Sequence, residues 1–142
     1  MLIKLLPQQL VKMWDMIRFA IAETFIPRNS CTSEHLQAIF KDLLSGKRDV
    51  WLGLGEGKKF LGFVITRIAT EPVTGERCLF IDHIYAFQGV PEKILLDGTK
   101  VIESYARKNN CKTIVALTES DRITKLAEHL KFSHRYYLFK EV

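Results

Sequence analysis

Three consecutive stretches decide how this chain folds: RCLFIDHIYAF (residues 77–87), PEKILLDGTKVIESYARKNN (91–110) and CKTIVALT (111–118). The first is an apolar run that ends at a Gly-Val-Pro turn. The second places Ile94, Leu95, Val101, Ile102 and Tyr105 near the helical period, which gives an amphipathic helix one apolar face. Pro91 suits its first turn, where a missing N–H leaves nothing unpaired. The third stretch is again a short apolar run. Strand, helix, strand with a crossover of this length predicts a parallel pair of strands. A helix that opens directly after a strand aims unpaired N–H groups at the mouth of the sheet, a natural seat for phosphate.

Working outward, Met1–Leu6 is a short apolar run ended by Pro7 and is expected as a first strand. Leu10, Met13, Trp14, Ile17, Ala20 and Ile21 then recur at i, i+3, i+4 spacing and predict a helix from Gln8 to about Thr24. Thr32 or Ser33 caps a second helix through about Ser45, with Leu36, Ile39, Phe40, Leu43 and Leu44 inward. Val50–Leu54 and Phe60–Ala69 flank Gly55-Glu56-Gly57-Lys58 as a hairpin, and Pro72–Glu76 turns the chain into the 77–87 strand. Asp121–Lys131 predicts a last helix and Arg135–Lys140 a last strand. The reading is a single α/β domain over residues 1–142, with a mixed, mostly antiparallel sheet flanked by helices.

Composition narrows the class. With 142 residues, 47% of them hydrophobic, the chain can bury one proper core, and no apolar run approaches the roughly 20 residues that cross a bilayer. Cys31, Cys78 and Cys111 are an odd, scattered set without CxxC spacing. They suggest neither zinc nor a disulfide framework, and fit buried thiols in a reducing, cytoplasmic setting. A net charge of +5, from 21 basic and 16 acidic residues spread along the chain, leans mildly toward anionic partners and falls short of a nucleic-acid signature.

The element order resembles the GCN5-related N-acetyltransferase (GNAT) superfamily over nearly the whole chain. Two local stretches carry the likeness. Tyr105–Ile114 looks like the family's helix end running into Gly-Cys-Lys-x-Ile, with Asn110 where glycine is usual. Lys125–Phe132 looks like its final helix running into Leu-Gly-Phe, with Lys131 where glycine is usual. The closing YYLFKEV is similar to phage- and prophage-encoded relatives. The resemblance implies an acyl-CoA N-acyltransferase-like fold, acetyl-CoA as cosubstrate and an amine as acceptor.

The same resemblance exposes departures. Acetyl-CoA-binding members usually carry Arg/Gln-x-x-Gly-x-Gly/Ala before the crossover helix, where glycine lets backbone N–H groups approach the pyrophosphate. Counted back from Tyr105, the motif positions fall on Val90, Lys93 and Leu95, and none matches. The resemblance then places the cofactor against Tyr85, Ala86 and Phe87, whose backbone would polarise the thioester carbonyl, and against Gly89, Val90, Lys93 and Ile94. Many members also place a tyrosine in the last helix to protonate the departing thiolate; here that position is Ala127. Tyr136 and Tyr137 lie on opposite faces of the expected last strand, so one of them could reach the site as a substitute, against a plainer role in the core.

Asp82 and His83 interrupt an apolar strand, where charge is costly unless paired. One of them could take a proton from the incoming amine. Strand alternation sets Asp82 with Ile84 and His83 with Tyr85, on opposite faces. The resemblance favours Asp82 as the base, since strand carboxylates here line the amine-side cleft in that family, against a plainer role as a carboxylate paired with Arg67 or Arg77. Two functions remain open: an acetyl-CoA-dependent N-acetyltransferase, or an inert domain of the same fold serving as a protein-binding or assembly module.

Overall fold

The computed structural model describes residues 1–87, 89–136 and 138–142. A five-stranded sheet runs in the order β1 (Leu2–Lys4), β2 (Asp49–Leu54), β3 (Phe60–Thr70), β4 (Arg77–Ala86) and β5 (Thr113–Ala116). Neighbours are antiparallel up to β4, and β4 pairs with β5 in parallel through the crossover helix α3 (Glu92–Lys108). Helices α1 (Pro7–Thr24) and α2 (Ser33–Leu44) precede the meander, and α4 (Asp121–His129) follows β5.

The sheet separates two cores. On one face α1 and α2 bury Leu10, Ile17, Ile21 and Leu43 against Val50, Phe63 and Ile65. On the other, Ile102 and Ala106 of α3 pack on Trp51 and Leu79. Caps fix where the helices begin. The Thr32 hydroxyl accepts from the His35 N–H at 3.2 Å, and the Ser120 hydroxyl accepts from the Ile123 N–H. Tyr105 ties α3 to β2: its hydroxyl donates to Asp49 Oδ2 at 2.7 Å, and burial together with that carboxylate pushes the phenol up to about 12.

Asn110 and Lys131, the two residues standing where the resembled family has glycine, both adopt left-handed backbone, with φ of 59° and 68°. The positions therefore demand what glycine supplies freely, and asparagine tolerates it better than lysine.

One expectation fails. Among the described residues, the segment after α4 forms no strand. Tyr136, Leu138 and Phe139 are exposed there, Tyr136 to 92%. β-propensity measures fit to a half-buried pleated surface, and the described residues of this segment are exposed. Tyr137 lies outside the described residues.

Candidate active site

The site grows from one irregularity in β4. Ile65 of β3 lies opposite His83, but Thr66 lies opposite Ile81, so Asp82 is an extra residue bulged out of the ladder. The bulge reverses alternation. Ile81 and Ile84 both face α3, whereas Asp82 and His83 both face α1 and α2. The expected separation of Asp82 and His83 onto opposite faces is thereby corrected, because period-two alternation holds only for an unbroken ladder.

The bulge also sets where β4 and β5 part. Their ladder runs from Cys78 opposite Thr113 to Ile81 opposite Ala116, and the last link is the Leu117 N–H to the Ile81 carbonyl at 3.4 Å. Beyond it β4 continues on β3 alone. The Phe87 N–H donates to the Leu61 carbonyl at 2.9 Å. By alternation Tyr85 shares that direction, and the backbone N–H and C=O groups of Ile84 and Ala86 face the side that β5 has left. Gly62 allows this close pairing: a Cβ there would stand 1.9 Å from the Tyr85 carbonyl oxygen.

Asp82 is held on both sides. Arg48 donates to its Oδ2 at 2.6 Å and Arg67 at 2.9 Å, with the Arg67 Nε also 3.2 Å from Oδ1. Arg48 is braced by Asp42 of α2 at 3.1 Å, and Arg67 lies over the Phe80 ring at 4.4 Å. Arg77, the other partner considered, instead donates to the Asn109 carbonyl at 2.7 Å. Both carboxylate oxygens are engaged by guanidinium groups, which ties the α2 end and β3 to the bulge.

His83 is arranged differently. It is 8% exposed, and its Nδ1 lies 2.9 Å from the Thr24 hydroxyl at the end of α1. That hydroxyl already donates to the Ala20 carbonyl at 2.7 Å, so its oxygen accepts, and His83 carries its proton on Nδ1. Nε2 is then the atom with the lone pair. It has no hydrogen bond among the described residues. Burial lowers the imidazole's pKa, with the neighbouring Asp82 charge opposing, so the ring favours its neutral form.

The remaining candidates sort by position. Tyr85 packs edge-on against Phe19 and Phe87, at 5.9 and 4.7 Å between ring centres. Ala86, Val90 and Ile94 line a cavity of about 160 Å³ between the sheet, α3 and α4, to which Ala127 also contributes. Gly89 meets nothing that a Cβ would disturb and forms no tight cradle. Lys93 is exposed in the first turn of α3. There the N–H groups of Glu92 and Lys93 precede the first helical acceptor, Pro91, whose carbonyl takes the Ile94 and Leu95 N–H groups. Lys125 and His129 of α4 face this turn across a shallow groove, and His129 Nε2 bonds the Glu92 carboxylate. Tyr136 is 92% exposed and has no hydrogen bond to these groups among the described residues. Among the described residues, no three His, Cys, Asp or Glu side chains gather as a metal set, and no helix is long and apolar enough to cross a membrane.

Sequence reasoning missed Arg48 and Thr24. Each acts from more than 30 residues away on a side chain that the sequence did single out.

An antiparallel meander joined to a parallel crossover, with helices on both faces, is the arrangement of solved acetyltransferase structures. Solved structures share it along the whole chain. Ribosomal-protein-alanine N-acetyltransferase from Brucella melitensis biovar Abortus 2308 is 18% identical with a TM-score of 0.69, covering 100% of this chain and 99% of its own. AAC(6')-Iy, solved in complex with the bisubstrate analogue CoA-S-monomethyl-acetylneamine, is 12% identical with a TM-score of 0.73, covering 100% and 97%. Aminoglycoside antibiotic 6'-N-acetyltransferase AAC(6')-Ih from Acinetobacter baumannii is 17% identical with a TM-score of 0.67, covering 100% and 97%. No family model and no curated protein matches the sequence. At these identities the likeness is one of fold, and the activity must be argued from the site.

Proposed function

We propose that this chain is an N-acyltransferase that moves an acyl group, acetyl in the simplest case, from coenzyme A to an amine. The observation that carries the reading is the opening between β4 and β5, where backbone groups of Ile84 and Ala86 that β5 no longer pairs lie next to a neutral histidine whose Nε2 has no hydrogen bond among the described residues. The acyl-CoA fits the residues present. The first-turn N–H groups of α3 with Lys93 and Lys125 suit its phosphates, and the free edge of β4 suits its amide-bearing arm.

In this reading a backbone N–H on the open edge of β4 hydrogen-bonds the thioester oxygen as negative charge develops there. The amine attacks the carbonyl carbon from the α1–α2 side, forming the C–N bond. His83 Nε2 takes the proton released from nitrogen, while Thr24 keeps the ring in the required tautomer. Collapse breaks the C–S bond. The thiolate leaves without a tyrosine acid, since Ala127 cannot donate and Tyr136 stands in solvent; a thiolate is a competent leaving group near neutral pH. Asp82 positions the bulge and is not the base.

A second reading, an inert domain that binds a protein partner, draws on the exposed apolar residues Tyr136, Leu138 and Phe139. One experiment separates the two. Release of free CoA thiol is followed with acetyl-CoA and a panel of amines, for the wild type and for His83→Gln, which can still donate to Thr24. The acyltransferase reading expects amine-dependent release that drops about 100- to 10,000-fold in the variant. No release with any amine, or equal release from the variant, overturns it.

A further inference from the structure

The cavity between the sheet, α3 and α4 has more room, and a different chemistry, than an acetyl group requires. Its walls include Ile84, Ile102, Ile114, Ile123, Leu126 and Ala127. Thr99 contributes a hydroxyl, but that group donates to the Leu95 carbonyl within α3 at 2.8 Å and offers nothing to a guest. Gly98 adds no side chain, and a Cβ placed there would come no nearer than 4.0 Å to Leu2. Ala127 stands where the resembled family carries a tyrosine, so the residue that removes an acid also leaves space beside the sheet.

From these facts we infer that the cavity is an acyl-chain pocket and that the donor is a coenzyme A thioester of a medium-length fatty acid, about six carbons. The inference rests on the acyltransferase reading and names its donor. Size supports it. A dry cavity of roughly 150 Å³ with walls of this type holds a six-carbon ring, and this one measures about 160 Å³. Position supports it as well. Ile84 and Ala86, whose free backbone groups would face the thioester, are themselves part of the wall. A chain attached at that carbonyl therefore continues directly into the cavity. Chemistry decides between guests. The two amides of the coenzyme A carrier arm can pair with the free edge of β4, but the aliphatic side-chain walls beyond that edge offer them no hydrogen-bond partner, whereas an alkyl chain needs none.

Each buried methylene strengthens binding about fourfold. The four that separate hexanoyl from acetyl would give a ceiling of about 200-fold, from which ordering of the chain subtracts. Affinities of free CoA, acetyl-CoA, butanoyl-CoA and hexanoyl-CoA are measured by calorimetry on the wild type, Ala127→Phe and Gly98→Val, with circular dichroism confirming that each variant is folded. The expected result is that hexanoyl-CoA binds the wild type at least tenfold tighter than acetyl-CoA, and that this ratio falls toward one in at least one variant. A wild-type ratio near one overturns the inference while leaving the acyltransferase reading standing. Loss of CoA, acetyl-CoA and hexanoyl-CoA affinity in parallel shows that the cavity holds the carrier arm, and also overturns it. If no thioester binds the wild type at millimolar concentration, both the inference and the reading beneath it fall.

Discussion

Replacing Asp82 with asparagine separates a structural carboxylate from a catalytic one, and the surroundings fix what it should cost. Asp82 is 10% exposed and accepts from Arg48 at 2.6 Å and Arg67 at 2.9 Å. Breaking a buried ion pair by removing one partner costs about 3–5 kcal/mol, because the other charge is stranded. Neither arginine is fully stranded here. Arg48 keeps Asp42 at 3.1 Å, while Arg67 is 33% exposed and rests on the Phe80 ring. The asparagine amide oxygen also keeps one acceptor. The expected loss is therefore ~2–3 kcal/mol. Unfolding entropy of about 2.1 cal/mol/K per residue gives about 0.3 kcal/mol/K for 142 residues. That converts the loss to a fall in Tm of roughly 7–10 °C. Urea denaturation followed by circular dichroism reads the energy, and calorimetry reads Tm. Turnover at a temperature where the variant is fully folded should fall modestly, with the acid side of its pH profile still set by His83. A variant as stable as the wild type that has lost all turnover would make Asp82 the base and refute this account of the bulge.

Gly62→Ala places a Cβ 1.9 Å from the Tyr85 carbonyl, against backbone that has no rotamer to yield. The β3–β4 pair must open there, and a loss of at least ~2–3 kcal/mol is expected in urea denaturation, at the upper end for overpacking. Lys131→Gly relieves a left-handed lysine with φ of 68° and should raise stability by ~0.5–1 kcal/mol in the same assay. Burial holds His83 below its ordinary value of 6.5, so the acid limb of kcat/KM should lie below pH 6.5. The same shift has a stability consequence. Below pH 6.5 the unfolded chain binds a proton at this position that the folded chain refuses, so stability falls as pH drops until folded His83 also protonates. In His83→Gln both effects should be absent.

Much of the fold was legible because its signals are local. The period of Leu10–Ile21, the Thr32 cap, and the 77–118 strand–helix–strand pattern depend on neighbours in sequence, and the elements formed where those signals lie. The expected Arg135–Lys140 strand fails for the opposite reason: its aromatic alternation supplies propensity, but pairing needs a surface that only tertiary structure can provide. The site was half legible. Asp82 and His83 stand out as polar residues in an apolar strand, yet period-two alternation assigned them to opposite faces, and the favoured base, Asp82, is held by two arginines. A bulge depends on the register between two strands, which leaves no mark on either strand alone. The partners that decide their roles, Arg48 and Thr24, arrive from a loop and a helix end distant in sequence.

The central claim is that the opening between β4 and β5 receives a coenzyme A thioester, and backbone amide chemical shifts test it most directly. Acetyl-CoA titrated into ¹⁵N-labelled protein should shift the amides of Ile84 and Ala86 on the open edge of β4. Those of Glu92 and Lys93 at the start of α3 should move with them along one saturable curve, while the amides of Leu10 and Ile17 on the far side of the sheet stay still. No shift at millimolar acetyl-CoA, or shifts confined to residues away from that opening, would contradict the account.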